Sequence, residues 1–245
     1  MNIEEHREFC LTGIMSSLRI WVADVMNLLS PNCCAICGSH LCPSEQKLCA
    51  RCLLSLDYLP EGDFYDNPSA RLFWGKVAVE RVHSHLLYRS SSAVSTLLEQ
   101  LKYNHRPDLG LWLGRQMAHE LQPRGFFEGI DGIVPVPLAW QRLLKRGYNQ
   151  SLMLARGVSE VTGLPVVADM VRRKRNNPSQ THLSGEERIQ NAQDLFVACK
   201  KERHHHVLLV DDVLTTSATL VSCAQAISMA NAGMRFSILT LGRAH

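Results

Sequence analysis

A mostly parallel α/β sheet covered by helices, with a small cysteine-rich module on its N-terminal side, is the architecture this sequence predicts. Three observations carry that expectation. Short apolar runs alternate with segments of helical period over the C-terminal two thirds, the pattern of strands joined through helices. Two C-x-x-C pairs sit close together near the N-terminal end, the spacing of a metal-held module. One apolar run, "VLLVDD", ends in two carboxylates and passes straight into the hydroxyl-rich "VLTTSAT".

The chain has 245 residues, 46% hydrophobic and 20% charged, which is enough to bury a sizeable core and too apolar for wholesale disorder. Residues 1–32 read as an N-terminal amphipathic helix. Ile14, Leu18, Trp21, Val22, Val25, Leu28 and Leu29 recur at helical spacing, and Arg19, Asp24 and Asn27 interrupt any membrane span. Glu4, Glu5 and Glu8 have the wrong sign for a secretion signal, so a cytoplasmic location is expected.

Residues 33–56 form the expected zinc-binding module. Six of the nine cysteines lie here, and Cys34, Cys37, Cys49 and Cys52 make two pairs able to surround one Zn²⁺ tetrahedrally. The spacing leaves open whether Cys33 or Cys42 replaces a member. Cys10, Cys199 and Cys223 stand in apolar contexts and read as small core residues.

Residues 57–76, rich in Pro, Gly, Asp and Asn, read as a connector to the main domain, 77–245. There "VAVERVHSHLLYR" reads as strand, with Val77 and Val79 alternating. "SAVSTLLEQLKY" and "DLGLWLGRQMAHEL" read as helices with leucine-rich buried faces. "GIDGIVPVPL" is a short strand broken by proline, and a helix follows that stops at Gly163. Residues 172–187 are polar and turn-rich, a long loop of the kind that carries function. "RHHHV" reads as a solvated loop before the strand "HVLLVDD". A helix stopping at Gly233 and the strand "FSILTLG" complete the pattern.

Charge is distributed unevenly although the formal net value is only +3. Arg142, Lys145, Arg146, Arg156, Arg172, Arg173, Lys174 and Arg175 face only Glu160 and Asp169 over the same stretch, which points to phosphate groups or a nucleic acid. The corner at Asp211 and Asp212 suits the same ligand class. In sheets of this kind ligands sit at the carboxyl ends of strands, where successive N–H groups and a helix N-terminus cradle anions. Hydroxyls at Thr215, Thr216, Ser217 and Thr219 add donors, and the two carboxylates accept from sugar hydroxyls or hold Mg²⁺. Together they describe a ribose 5-phosphate site. A P-loop NTPase is excluded because the chain has no G-x-x-x-x-G-K-[ST].

"VLLVDDVLTTSAT" resembles the phosphoribosyl pyrophosphate (PRPP) signature of type I phosphoribosyltransferases. The paired cysteines, "LKYNHRPDLG", "VPVPLAWQRLLKRGYNQS", "PSQTHLSGEERIQNAQDLF" and that signature, in this order, resemble the ComF-type family associated with natural competence. The resemblance implies that Asp211 and Asp212 hold the ribose hydroxyls. It implies that Val213, Leu214, Thr215, Thr216, Ser217, Ala218 and Thr219 wrap the 5′-phosphate. Val136 and Pro137, with Leu138, would form the pyrophosphate turn, assisted by Arg142 and Arg146. The 172–187 loop would be a flexible hood contributing Lys174, Arg175 or Arg188.

The implied activity is Mg²⁺-dependent phosphoribosyl transfer to an unassigned acceptor, with Tyr103, Tyr148 or Trp140 as stacking candidates. The other expectation is a non-catalytic accessory role, binding PRPP or a nucleotide together with single-stranded DNA, a helicase or another competence protein. The family signature has glycine where this chain has Ser217. A left-handed backbone there costs a side chain roughly 1–2 kcal/mol, unless serine repays it with another hydroxyl toward phosphate.

Overall fold

The computed structural model describes residues 33–60, 62–174, 195–199 and 204–244. The expected helix within 1–32 and most of the expected hood lie outside these residues. The chain divides into two compact units that part between Leu54 and Ser55.

In the first unit, a turn at residues 35–37 is closed by Gly38 N–H donating to Cys34 O at 3.0 Å, and Gly38 takes φ 73°. A single helical turn, α1 (Ala50–Leu54), follows the second cysteine pair. Glu45 joins the two halves, accepting from Cys42 N at 2.8 Å and Ala50 N at 2.6 Å.

The second unit is built on a parallel sheet of order β1-β6-β5-β2. Its strands are β1 (Val82–Tyr88), β2 (Gly132–Pro135), β5 (His206–Leu214) and β6 (Arg235–Ala244). A separate antiparallel pair is formed by β3 (Val171–Arg173) and β4 (Phe196–Ala198). Such a sheet must be covered on both faces, and its strands accordingly read as continuous apolar runs. Val207 and Leu209 of β5 pack with α6 (Ala218–Ala230), through Leu220, Cys223, Ala224 and Ile227. The alternate residues Leu208 and Val210 are fully buried on the other face. That face is covered by α2 (Ala93–Tyr103), α3 (Pro107–Leu121) and α5 (Gln150–Thr162).

Helix ends follow local chemistry. Ser92 caps α2 by accepting from Ser95 N at 3.1 Å, and Pro107 occupies the first turn of α3, where its missing N–H costs nothing. The pair α3 and α5 meets at glycines. A Cβ on Gly157 would stand 2.1 Å from Leu111 O, and one on Gly114 would stand 2.2 Å from Leu154 O.

Several segments differ from the sequence expectation. Residues 57–76, expected as a connector, pack into the second unit. Ala70 and Phe73 of a short 3₁₀ turn (Ala70–Phe73) are buried in the core, and the Asn67 side chain caps that turn through the N–H groups of Ser69 and Ala70. Asn67 Nδ2 also donates to Val82 O at 2.8 Å, which welds the segment to β1. Val77 and Val79 pack on the core from irregular backbone, and β1 starts later, at Val82. Helix α6 ends at Ala230, with Asn231 rather than Gly233 as its cap. Cys199 is exposed, unlike the fully buried Cys223. His206 belongs to β5, buried and bonded to Ser237 Oγ at 2.9 Å, so only His204 and His205 of the histidine run remain in the loop.

Candidate functional site

A cavity of about 420 Å³ opens at the carboxyl ends of β2 and β5. It is where a parallel sheet leaves strand ends and helix N-termini pointing at one space. β5 delivers Asp211, Asp212 and Val213, the loop after it brings Thr215, and the first turn of α6 brings Thr219 to the wall. β2 ends at Pro135, and the Val136–Leu138 turn is held by Val136 N–H donating to Val210 O at 2.9 Å. Asn149 braces the same turn. Its Nδ2 donates to Val136 O at 3.0 Å while its Oδ1 caps α5 through Ser151 N. Beyond the turn, α4 (Trp140–Arg146) projects Arg142 and Arg146 into the cavity before Gly147, at φ 76°, ends it.

Four further lining residues, Tyr88, Lys102, Gln150 and Ser151, were not among the expected site residues, and Arg173 was expected only as one member of the basic stretch. Lys102 arrives from the last turn of α2, where a cation suits the helix dipole, and its Nζ lies 3.5 Å from Asp212 Oδ2. Ser151 Oγ donates to Asp211 Oδ1 at 2.9 Å, and Arg146, itself buried, donates to Gln150 Oε1 at 2.9 Å. The basic run over 172–175 and the motif around Lys102 were the available sequence signals. Neither showed which side chain reaches the cavity.

The electrostatics are those of a site waiting for opposite charge. Burial, reinforced by the neighbouring Asp212 carboxylate, pushes Asp211 up to about 7. Arg173 is drawn below the ordinary guanidinium value by burial and by Arg142 close by. Two carboxylates and three guanidinium groups line one cavity. An anion beside the arginines would offset their mutual repulsion, and a cation beside the aspartates would offset theirs.

The residues expected to wrap a phosphate divide by exposure. Thr215, Thr216 and Ala218 are exposed and Thr219 is half-buried, while the Leu214 side chain belongs to the core. Ser217 does adopt the left-handed backbone, at φ 58°. Its hydroxyl turns inward: Oγ donates to Leu72 O at 2.9 Å and accepts from Lys76 Nζ at 3.2 Å. It makes no side-chain capping bond, so the first amides of α6 are left to other acceptors. Replacing Ser217 by alanine keeps the strained backbone and removes the buried bond, an expected loss of about 1–2 kcal/mol. Glycine relieves the strain, so Ser217→Gly is expected to cost less than half as much in urea unfolding.

Lys174 lies just past β3, its N–H donating to Leu195 O at 2.9 Å, and Arg175 and Arg188 lie outside the described residues. The aromatic candidates are differently engaged. The Tyr148 hydroxyl donates to Leu101 O, which leaves that half-buried ring tying α2 to the start of α5. Tyr103 stacks beneath Lys145 and Arg146, and Trp140 is half exposed beyond the cavity lining.

In the first unit Cys34, Cys37, Cys49 and Cys52 offer sulfur atoms within 4.8 Å of one another, so these four form the set able to hold a metal ion. Cys37 is pulled down to about 6, first by its bond with the Ser39 hydroxyl. Its Sγ lies 3.7 Å from that of Cys49. Cys42 is exposed, and Cys33 bridges to His40.

No family model matches the chain. It is 32% identical over 135 residues to DNA utilization protein YhgH of Salmonella typhi, a match covering 54% of this chain and 60% of that protein. The Escherichia coli K12 protein of the same name is 28% identical over 197 residues, 78% of this chain and 82% of that one. Competence protein F of Haemophilus influenzae is 31% identical over 137 residues, covering 52% and 58%. The ComF-type resemblance read from the motifs is thus matched by curated relatives, over 52% to 78% of this chain.

Among solved structures, a glutamine PRPP amidotransferase from B. subtilis aligns with TM-score 0.39 at 19% identity, over 57% of this chain and 30% of that one. An adenine phosphoribosyltransferase from Leishmania tarentolae aligns with TM-score 0.33 at 13% identity, over 64% and 90%.

Proposed function

We propose that the cavity binds PRPP and that the protein is a phosphoribosyltransferase of the ComF type acting in DNA utilization. The observation that carries this reading is the convergence, in one cavity, of an acidic pair, an uncapped helix N-terminus with hydroxyls, and three arginines. Each group matches a different part of one ligand. Asp211 and Asp212 accept from the ribose 2′- and 3′-hydroxyls. The amides from Thr215 to Thr219, at the positive end of α6, hold the 5′-phosphate. Arg142, Arg146 and Arg173 neutralise the pyrophosphate as it leaves the anomeric carbon, which is where charge stabilisation lowers the barrier. Lys102, with Nζ 3.5 Å from Asp212 Oδ2, holds that carboxylate in place.

An oxygen-donor corner with two carboxylates fits a hard cation of the Mg²⁺ kind, and the raised Asp211 is a carboxyl that such a cation would favour in its ionised form. Bound with the pyrophosphate, Mg²⁺ would supply further neutralisation of the leaving group. The four clustered cysteines are read as a structural zinc site, and the protein as cytoplasmic. Among the described residues no helix is long and apolar enough to cross a membrane.

Calorimetric titration of Mg²⁺-PRPP into the protein and into Asp211→Asn/Asp212→Asn tests the reading. Saturable binding that the double variant loses supports it, and the absence of heat with either protein sinks it. Pyrophosphate release across a panel of nitrogenous bases then asks for the acceptor. A second reading, which the relatives' names leave open because they name no reaction, is a non-catalytic setting in which the bound ligand accompanies contact with single-stranded DNA or a partner. Retention of a single-stranded oligonucleotide at near-physiological salt, with no pyrophosphate released from any base, is the result that selects it.

A further inference from the structure

β1 places His83 and His85 on one face of the sheet, toward α3, two residues apart and so on the same side of the pleat. Both are buried, at 1% and 6% exposure, where an imidazole needs a polar reason to be. Their rings sit edge-on among aromatics, His83 against Phe64 and Phe126 and His85 against Tyr58. From the last turn of α3, Glu120 reaches into this group with Oε2 at 3.6 Å from His85 Nδ1. Its other oxygen lies 3.7 Å from the Arg124 guanidinium. One ligand atom from each of His83, His85 and Glu120 lies within 4.8 Å of the other two. His85 Nδ1 makes no hydrogen bond among the described residues.

We propose that His83, His85 and Glu120 form a binding site for a divalent transition-metal ion of the zinc class, built from residues separate from the cysteine set and from the cavity. Two imidazoles and a carboxylate are a donor set that zinc accepts at bond lengths of about 2.0–2.2 Å, which places tetrahedral ligand atoms roughly 3.4 Å apart. Glu120 Oε2 already stands 3.6 Å from His85 Nδ1, and its side chain, 44% exposed, opens an entry path. Arg124, holding one carboxylate oxygen, leaves the other aimed at the histidines, the arrangement by which outer partners orient metal ligands. Three protein ligands leave a fourth position for water. The ion ties α3 to β1, the strand at the edge of the sheet.

The test counts metal in the full chain. After loading with Zn²⁺ and dialysis the protein is expected to keep about two ions, one per proposed site. Glu120→Gln, at an exposed position, is expected to weaken the second ion at least tenfold. The Cys34→Ser/Cys37→Ser chain is expected to keep about one ion. Cobalt(II) in that chain should show weak visible bands without thiolate charge transfer. If the cysteine variant fails to fold, the Glu120→Gln comparison decides alone. One ion that survives the cysteine substitutions but not Glu120→Gln supports the histidine site while removing zinc from the cysteine module. A single ion lost with the cysteines and indifferent to Glu120→Gln overturns the proposal, as do two ions that Glu120→Gln leaves unchanged.

Discussion

Gly157→Ala is expected to destabilise the protein by about 2–4 kcal/mol, the opposite sign from the usual gain of roughly 1 kcal/mol for alanine over glycine inside a helix. The reversal follows from where the added methyl must go. A Cβ at Gly157 would meet Leu111 O at 2.1 Å, Arg115 N at 2.9 Å and Gly114 Cα at 2.9 Å, all of them backbone, which cannot swing aside as a side chain can. Helices α3 and α5 would have to separate. α5 carries Ser151 and Gln150 against the cavity, so the displacement also reaches Asp211. Chemical denaturation of Gly157→Ala, with Gly163→Ala as a control for substituting a glycine with open space around it, checks the claim. Equal losses in the two variants would show that helix contact is not the cause, since Gly163, at φ 73°, carries only backbone strain.

Asp211→Asn is expected to stabilise the unliganded protein by roughly 1–3 kcal/mol above neutral pH and to flatten its pH dependence. Asp211 titrates near 7 in the folded state and near 3.8 when unfolded. Between those values the folded chain binds more protons than the unfolded one, so this group's contribution to stability falls as pH rises and is fully lost above about 7. Ligand affinity runs the other way. A carboxylate that accepts ribose hydroxyls must be ionised, so PRPP binding strengthens as pH rises through 7. Thermal melts and PRPP titrations across pH 5 to 9 should therefore show opposite slopes in the wild type and neither slope in the variant. A wild-type melting profile indifferent to Asp211→Asn over that range would remove the electrostatic account of the site.

Regular periodicity made much of the architecture legible. The apolar run of β5, the leucine faces of α2 and α3, and the paired cysteines each bear a local signature, and the structure keeps all of them. What was hidden depends on long-range contacts. Lys102 and Ser151 are ordinary helix residues until Asp211 and Asp212 are brought beside them. Arg173 was one basic residue among several neighbours, and only its place on β3 sends it to the cavity. The segment around Asn67 has a loop's composition because it has a loop's backbone. Phe73 and Asn67 bury it with no more regular structure than one 3₁₀ turn. Ser217 shows both sides. The need for a left-handed backbone could be read from the departure from glycine, but the inward turn of its hydroxyl toward Leu72 required the packed chain.

The order β1-β6-β5-β2 also bears on how the protein is made. β6 comes last among the described strands, yet it lies between β1 and β5 and hydrogen-bonds to both. During synthesis β1 has no parallel strand to join until residues 235–244 have left the ribosome. Its histidine face and the apolar face opposite must therefore wait while some 150 residues are added. Long-range parallel pairing of this kind closes slowly and leaves strand edges open to neighbouring chains. A nascent chain stalled before β6 is thus the form most exposed to aggregation and most in need of a chaperone. Release of the last strand, rather than completion of the cavity residues, is the event that commits the domain to its fold.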